Sequence, residues 1–233
     1  MQYGNGEHVY ELVEEWAQLP VGESFFDIGR VCVDDADTVW VFNRSERPVM
    51  AFDPSGTRRR TWGEGSFDRP HGMGLDSKGN VYCTDVGTHT VTKFTPGGER
   101  LLTLGDDGEP SETGHRDVSD VFEQLASITR SAGPFNRPPG VTVLDSGEIC
   151  VTDGYGNARV HAFDPAGNLL RSWGEPGAGP GEFRIPHAVC HDNDNRIWVV
   201  DRENSRIQIF DTDGEYITEW TDLIRPTDLA IDG

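Results

Sequence analysis

Short runs of alternating apolar and small or polar residues fill this chain, with clusters of Gly, Pro, Asp and Asn between them. The clearest stretch runs from Phe183 to Phe210. It opens at Pro186-His187, alternates through a strand, and turns at Asp192-Asn193-Asp194-Asn195. It then rises through Ile197-Trp198-Val199-Val200 to Asp201-Arg202. The same pattern returns from Phe67 to Phe94 and from Phe135 to Phe163. In each copy 15 residues separate the proline from the closing aspartate: Pro70 to Asp85, Pro138 to Asp153, Pro186 to Asp201. Counting back 15 from Asn43 puts Ile28 in the proline slot of an earlier copy. A fixed internal period of this kind marks a repeat architecture.

Each copy predicts four short antiparallel strands joined by tight turns, which is one blade of an all-β propeller. A single blade cannot bury both faces of its sheet, so successive blades must stack around an axis. Four full blades are expected within one propeller domain spanning residues 1–233, with a further inner strand opening at Pro226. The stretch His8 to Leu19 reads as the outer strand of a blade. The 68-residue step from Pro70 to Pro138 exceeds the later steps of 48 and 40. The excess is an inserted loop at about 106–134, and Val118, Val121, Phe122 and Leu125 predict a short helix in it. Four blades and a fragment would leave a ring open, to be closed by further blades or by a partner chain.

The strand order predicts which residues share one end of the axis. The first strand of a blade leaves the proline and the second returns to the aspartate. Residues just after each therefore meet at one mouth. The set is Arg44, His71, Val86, Tyr155, His187, Arg202 and Thr227. Two histidines in equivalent slots suit a metal such as zinc, with Asp228 or His115 as a further ligand. Equally, each Pro-His is a strand entry whose imidazole bonds a neighbouring carbonyl. Tyr155 is either a rim aromatic or a catalytic phenol. Arg202 and Arg44 suit bidentate capture of a substrate carboxylate, or else salt bridges to Glu203 and Glu46. His89 and His161 are placed on third strands. The paired acids Asp34-Asp35 and Asp192 with Asp194 read as turn formers.

The net charge of −20 argues against nucleic acid and against an anionic membrane surface as partners. No apolar run reaches the length of a membrane span. The N-terminal residues lack the pattern of a secretory signal, which favours a cytoplasmic location. Cys32, Cys83, Cys150 and Cys190 fall in predicted strands without a CxxC pair, as buried free thiols do.

These units resemble NHL repeats, and over most of the chain they are similar to the peptidyl-α-hydroxyglycine α-amidating lyase family. The resemblance is carried by Pro70-His71-Gly72, Val81-Tyr82-Cys83-Thr84-Asp85 with His89, and Asp153-Gly154-Tyr155-Gly156-Asn157-Ala158-Arg159. Trp173-Gly174-Glu175, Pro186-His187 and Asp201-Arg202-Glu203-Asn204-Ser205-Arg206 complete it. It implies a six-bladed propeller with zinc in the channel, held by three histidines. The implied reaction is metal-assisted cleavage of a carbinolamide, a small-molecule or peptide substrate, to an amide and glyoxylate. His71 and His187 would be zinc ligands, Tyr155 the base, and Arg202 and Arg44 the substrate anchors. A channel calcium would take Asp228 and the Met73 carbonyl. The third histidine is replaced by Thr227, so the other expectation is a noncatalytic propeller that binds a protein or peptide.

Overall fold

The computed structural model describes residues 2–231. Their order follows the repeat. Blade 1 comprises Ile28–Val33, Val39–Asn43, Val49–Phe52 and Arg58–Trp62; blade 2 comprises Pro70–Leu75, Val81–Asp85, Thr90–Phe94 and Arg100–Leu104. Blade 3 comprises Gly140–Val143, Ile149–Asp153, Arg159–Phe163 and Leu169–Trp173, and blade 4 Pro186–His191, Ile197–Asp201, Arg206–Phe210 and Tyr216–Trp220. Each blade is a four-stranded antiparallel sheet with its strands in sequence order. The fold is an all-β propeller.

The 15-residue interval is a pairing register. Ile28 faces Asn43, Pro70 faces Asp85 and Pro186 faces Asp201. Just inside each of these pairs the ladder slips, leaving Gly29, His71-Gly72 and His187 outside it. A bulge of this type re-aims the side chain it frees. The histidines therefore leave the alternation of their strands and turn toward the axis.

The hairpin acids act as turn formers, as expected. Asp34 Oδ1 accepts the backbone N–H groups of Ala36 and Thr38, and its Oδ2 accepts Trp40 Nε1 at 2.9 Å. Asp192 does the same for Asp194, Arg196 and Trp198. The closing aspartates fasten blades 2, 3 and 4 to their entry loops: Asp85 accepts from Asp68 N and Arg69 N, Asp153 from Asn136 N, and Asp201 from Arg184 N.

Apolar side chains fill the wedges between blades. Trp40, Phe42 and Val49 of blade 1 pack against Met73, Val81 and Phe94 of blade 2. Tyr82 and Val91 meet Val141, Ile149 and Phe163, and Val160 and Ala162 meet Val189, Val199 and Phe210. Trp16, Leu19 and Phe25 cover Val41, Met50 and Phe52, while Leu223 and Leu229 pack beside Val200 and Ile207. Ile28, Val31 and Val33 of blade 1 and Ile217 and Trp220 of blade 4 remain exposed. All four cysteines are free, with Cys83 and Cys150 fully buried.

Four expectations need correction. His8 to Leu19 is not one blade strand: Gln2–Asn5 and His8–Glu11 form a separate hairpin that turns through Gly6-Glu7, where Gly6 takes the positive φ (61°) of the tight reversal. The end of the stretch does reach blade 1: Gln18 bridges Thr57 in parallel and Trp16 Nε1 donates to the Pro54 carbonyl at 3.0 Å. His89 lies in the turn before the third strand with φ 60°, not on it, and accepts the Arg137 N–H through Nδ1 at 3.0 Å. The inserted helix runs Val121–Ser127, because Asp120 caps it by accepting from Phe122 N and Glu123 N and so fixes the start beyond Val118. The segment from Pro226 forms no strand among the described residues, although it lies against the axis.

Candidate functional site

Two close approaches shape the axis. A Cβ at Gly72 would collide with the Pro139 carbonyl, and one at Gly154 with the Pro186 carbonyl. Glycine at both places lets neighbouring blades approach at the mouth. The result is a cavity of about 330 Å³, whose walls include Arg30, Arg44, His71, His187, Thr227 and Asp228.

His71 Nδ1 donates to the Pro139 carbonyl at 2.9 Å, and His187 Nδ1 donates to the Thr227 carbonyl at 2.6 Å. A carbonyl only accepts, so each Nδ1 must carry the ring proton of a neutral imidazole. Both Nε2 lone pairs then point to one place. Tyr155 Oη occupies it, 3.0 Å from His71 Nε2 and 2.8 Å from His187 Nε2. The three rings stand edge to face, with the two imidazole centroids 5.0 Å apart. Burial holds both imidazoles neutral: His71 is pushed down to about 4, helped by the Arg44 and Arg202 charges. Burial and the neighbouring His71 and Arg202 push His187 down to about 3.

Arg202 completes the cluster. Its Nη1 donates to Tyr155 Oη at 3.3 Å, and its Cζ lies 5.4 Å from the centre of the phenol ring. Glu203 orients the guanidinium by accepting from Nε at 3.0 Å, which is the salt bridge anticipated for this residue. The backbone N–H of Arg202 donates to the Ile185 carbonyl, so the loop entering blade 4 sets its height.

The other expected residues stand apart. Arg44 lines the cavity, but its guanidinium is engaged by Asp27 and by the Pro70 carbonyl at 3.0 Å, not by Glu46. Asp228 reaches the cavity wall and is ion-paired with Arg30. Among the described residues no group of three or more His, Cys, Asp or Glu side chains is arranged to hold a metal. The Met73 carbonyl accepts the Cys32 thiol at 3.2 Å. His115 lies in the insertion, 2.9 Å from Gln124, and Val86 is buried away from the cavity.

Arg30 and Asp27 were missed in the sequence. The signal for Arg30 is a lone charge between Gly29 and Val31 in an inner strand, where only an inward-facing partner satisfies it. Asp27 carries no such signal, because it precedes the strand by one residue in an irregular loop.

A family model described as a 6-bladed beta-propeller matches residues 106–221, and a model of the NHL repeat matches residues 67–94. The chain is an NHL-repeat β-propeller. This NHL propeller is 34% identical over 185 residues to the Peptidyl-glycine alpha-amidating monooxygenase of Mus musculus, covering 75% of the chain and 17% of that protein. It is 34% identical over 175 residues to Peptidyl-alpha-hydroxyglycine alpha-amidating lyase 1 of Drosophila melanogaster, covering 71% and 29%. With NHL repeat-containing protein 3 of Homo sapiens it shares 31% identity over 230 residues, covering 91% and 60%. The chain thus spans less than two thirds of each of these relatives. Among solved structures, a streptogramin B lyase superimposes on the NHL propeller with a TM-score of 0.60 at 16% identity, over 86% of the chain and 56% of the other, a likeness of fold. No helix among the described residues is long and apolar enough to cross a membrane.

Proposed function

We propose that this propeller is a metal-assisted lyase that splits a carbinolamide-like substrate into an amide and glyoxylate. The reading rests on one observation: Tyr155 Oη is shared between the Nε2 atoms of His71 and His187 under the Arg202 guanidinium. The similarity to amidating lyases agrees with it.

The donor set suits a cation. Two unprotonated Nε2 atoms face one phenol that has a single proton to give, so one lone pair is left for a positive charge. His71 and His187 would hold zinc, and Asp228 would join them only by leaving Arg30. Calcium on Asp228 and the Met73 carbonyl would likewise have to displace Arg30 and the Cys32 thiol. Zinc would supply Lewis acidity toward a substrate oxygen.

This chain's own residues do the rest. Arg202 binds the substrate carboxylate and keeps negative charge tolerable at Tyr155 Oη. Once its own proton has gone to solvent, Tyr155 Oη acts as the base and takes the proton of the carbinol hydroxyl. The C–O bond becomes the aldehyde C=O, the C–N bond breaks with its electron pair leaving on nitrogen, and Oη returns the proton to that nitrogen. Amide and glyoxylate are the products.

Incubating the zinc-loaded protein with α-hydroxyhippurate tests the reading, with glyoxylate measured as product. Tyr155→Phe should lower kcat by about 100-fold or more, the usual contribution of a positioned base; unchanged turnover in that variant sinks the assignment. A second reading, a noncatalytic propeller that binds a peptide or protein, is favoured by Thr227 in place of a third histidine and by the lack of a third acidic, imidazole or thiol ligand among the described residues. Absence of stoichiometric zinc after gentle purification would favour that reading.

A further inference from the structure

Beside the Tyr155 loop lies a second cavity, also of about 330 Å³. One wall is the inserted helix, with Phe122, Leu125 and Ala126, and the opposite wall is the entry to blade 4, with Phe183 and Ile185. Its floor is Asn157-Ala158, the continuation of the Tyr155 loop. The insertion is fastened to that loop, because Thr113 Oγ1 donates to the Gly156 carbonyl and Asn157 Nδ2 donates to the Ala132 carbonyl at 3.2 Å. The blade 4 wall is fastened to Arg202, whose backbone N–H bonds the Ile185 carbonyl at 3.1 Å. Both walls therefore belong to the loops that hold the candidate catalytic phenol and its arginine.

Phe183 and Ile185 are 1% and 3% exposed, yet Phe122 facing them is 72% exposed. An aromatic ring on a capped helix above an apolar trough is costly in water unless something covers it. The volume suits one aromatic or branched aliphatic group and is too small for a helix or a strand of a partner protein.

We infer that this groove receives the apolar N-acyl group of the substrate, so that Phe122 is a specificity-determining residue. The inference rests on the proposed lyase reading. A carbinolamide carries its carboxylate and its acyl group on opposite sides of the carbon that reacts. With the carboxylate at Arg202 and the hydroxyl at Tyr155, the acyl side leaves along Gly156-Asn157-Ala158 toward Phe122. The insertion thus supplies a wall that the blades by themselves do not.

The test compares N-benzoyl- with N-acetyl-α-hydroxyglycine in the zinc-loaded protein. Wild type should favour the benzoyl substrate by about ten-fold or more in kcat/KM, the discrimination an apolar pocket gives. Phe122→Ala, which opens the groove, and Ala126→Trp, which fills it, should each remove most of that preference by raising KM for the benzoyl substrate. A wild-type ratio near one, or an unchanged ratio in both variants, overturns the inference. If neither substrate yields glyoxylate, the lyase reading falls instead, and the groove is judged by calorimetric binding of hippurate against N-acetylglycine. Tighter hippurate binding that disappears in Phe122→Ala supports the groove, and equal binding of the two overturns it.

Discussion

Tyr155 Oη stands 2.8 Å from His187 Nε2, although the residues are 32 positions apart and belong to different blades. The contact exists because the bulge at Pro186 frees His187 from its ladder, while Gly154 lets blade 3 come up against the Pro186 carbonyl. The candidate site is thus a product of blade stacking. Its members should respond to substitution separately from the blades that carry them.

Arg202 makes three distinct contacts: a donor bond to Tyr155, a stack over its ring, and a bond to Glu203. Lysine retains the charge but loses the planar fork and the stacking. Arg202→Lys should raise KM for α-hydroxyhippurate by about ten-fold and lower kcat as well, since a bidentate carboxylate contact and a charge beside the phenol are both lost. Steady-state kinetics check this, with the melting temperature expected to stay close to wild type.

Thr227 already holds His187 through its carbonyl, and the residue borders the cavity. Thr227→His keeps the carbonyl and adds an imidazole. Zinc affinity should rise by about ten-fold or more, since one more nitrogen ligand converts a two-histidine site toward the three-ligand sets typical of catalytic zinc. Competition against a chromogenic chelator measures it, and unchanged affinity would mean that position 227 does not face the metal.

Asp192 gathers two backbone N–H groups and the Trp198 indole, all within 3.0 Å. Asp192→Ala takes the shared acceptor from those donors in a part-buried hairpin and should cost about 1 kcal/mol. Urea unfolding followed by tryptophan fluorescence reads the loss.

Turn carboxylates should also set the acid limit of the fold. Hydrogen bonds from Ser55 and Thr57, with the Arg59 charge, hold Asp53 at about 2 against the ordinary 3.8. The Asn168 side chain and backbone hold Asp164 down in the same direction, and Asp34, Asp76 and Asp192 are held down although burial opposes it. In this range the unfolded chain binds more protons than the folded one. The stabilisation is therefore complete above the ordinary carboxylate value and is lost as pH falls from there toward 2. Circular dichroism should show cooperative unfolding below about pH 4 that Asp192→Ala moves to higher pH.

Burial pushes the Cys150 and Cys190 thiols up to about 12, and Cys83 well above its ordinary value. The thiolate is the reactive form, so alkylation by iodoacetamide at pH 8 should be slow in the folded protein and rapid in urea for all four cysteines. Mass spectrometry counts the adducts, and fast labelling of native Cys150 would contradict the packing.

The blade architecture was legible because side-chain alternation and the 15-residue proline-to-aspartate interval are local properties. They are fixed by strand pairing between neighbours in the chain, and Pro70–Asp85 and Pro186–Asp201 turned out to be register partners. Equivalence of slots then carried His71, His187, Tyr155 and Arg202 to one mouth, because each blade repeats the direction of the last. Local pattern could not decide the partners of charged side chains. Arg44 took Asp27 and Arg30 took Asp228, both choices set by which irregular segment the stacking brings alongside. Nor could it place the insertion, whose helix start was settled by the Asp120 cap and whose position was settled by Thr113 meeting Gly156. Periodicity in the sequence determined the blades and the candidate residues; only tertiary packing decided which polar atoms meet, because those contacts join segments with no periodic relation to one another.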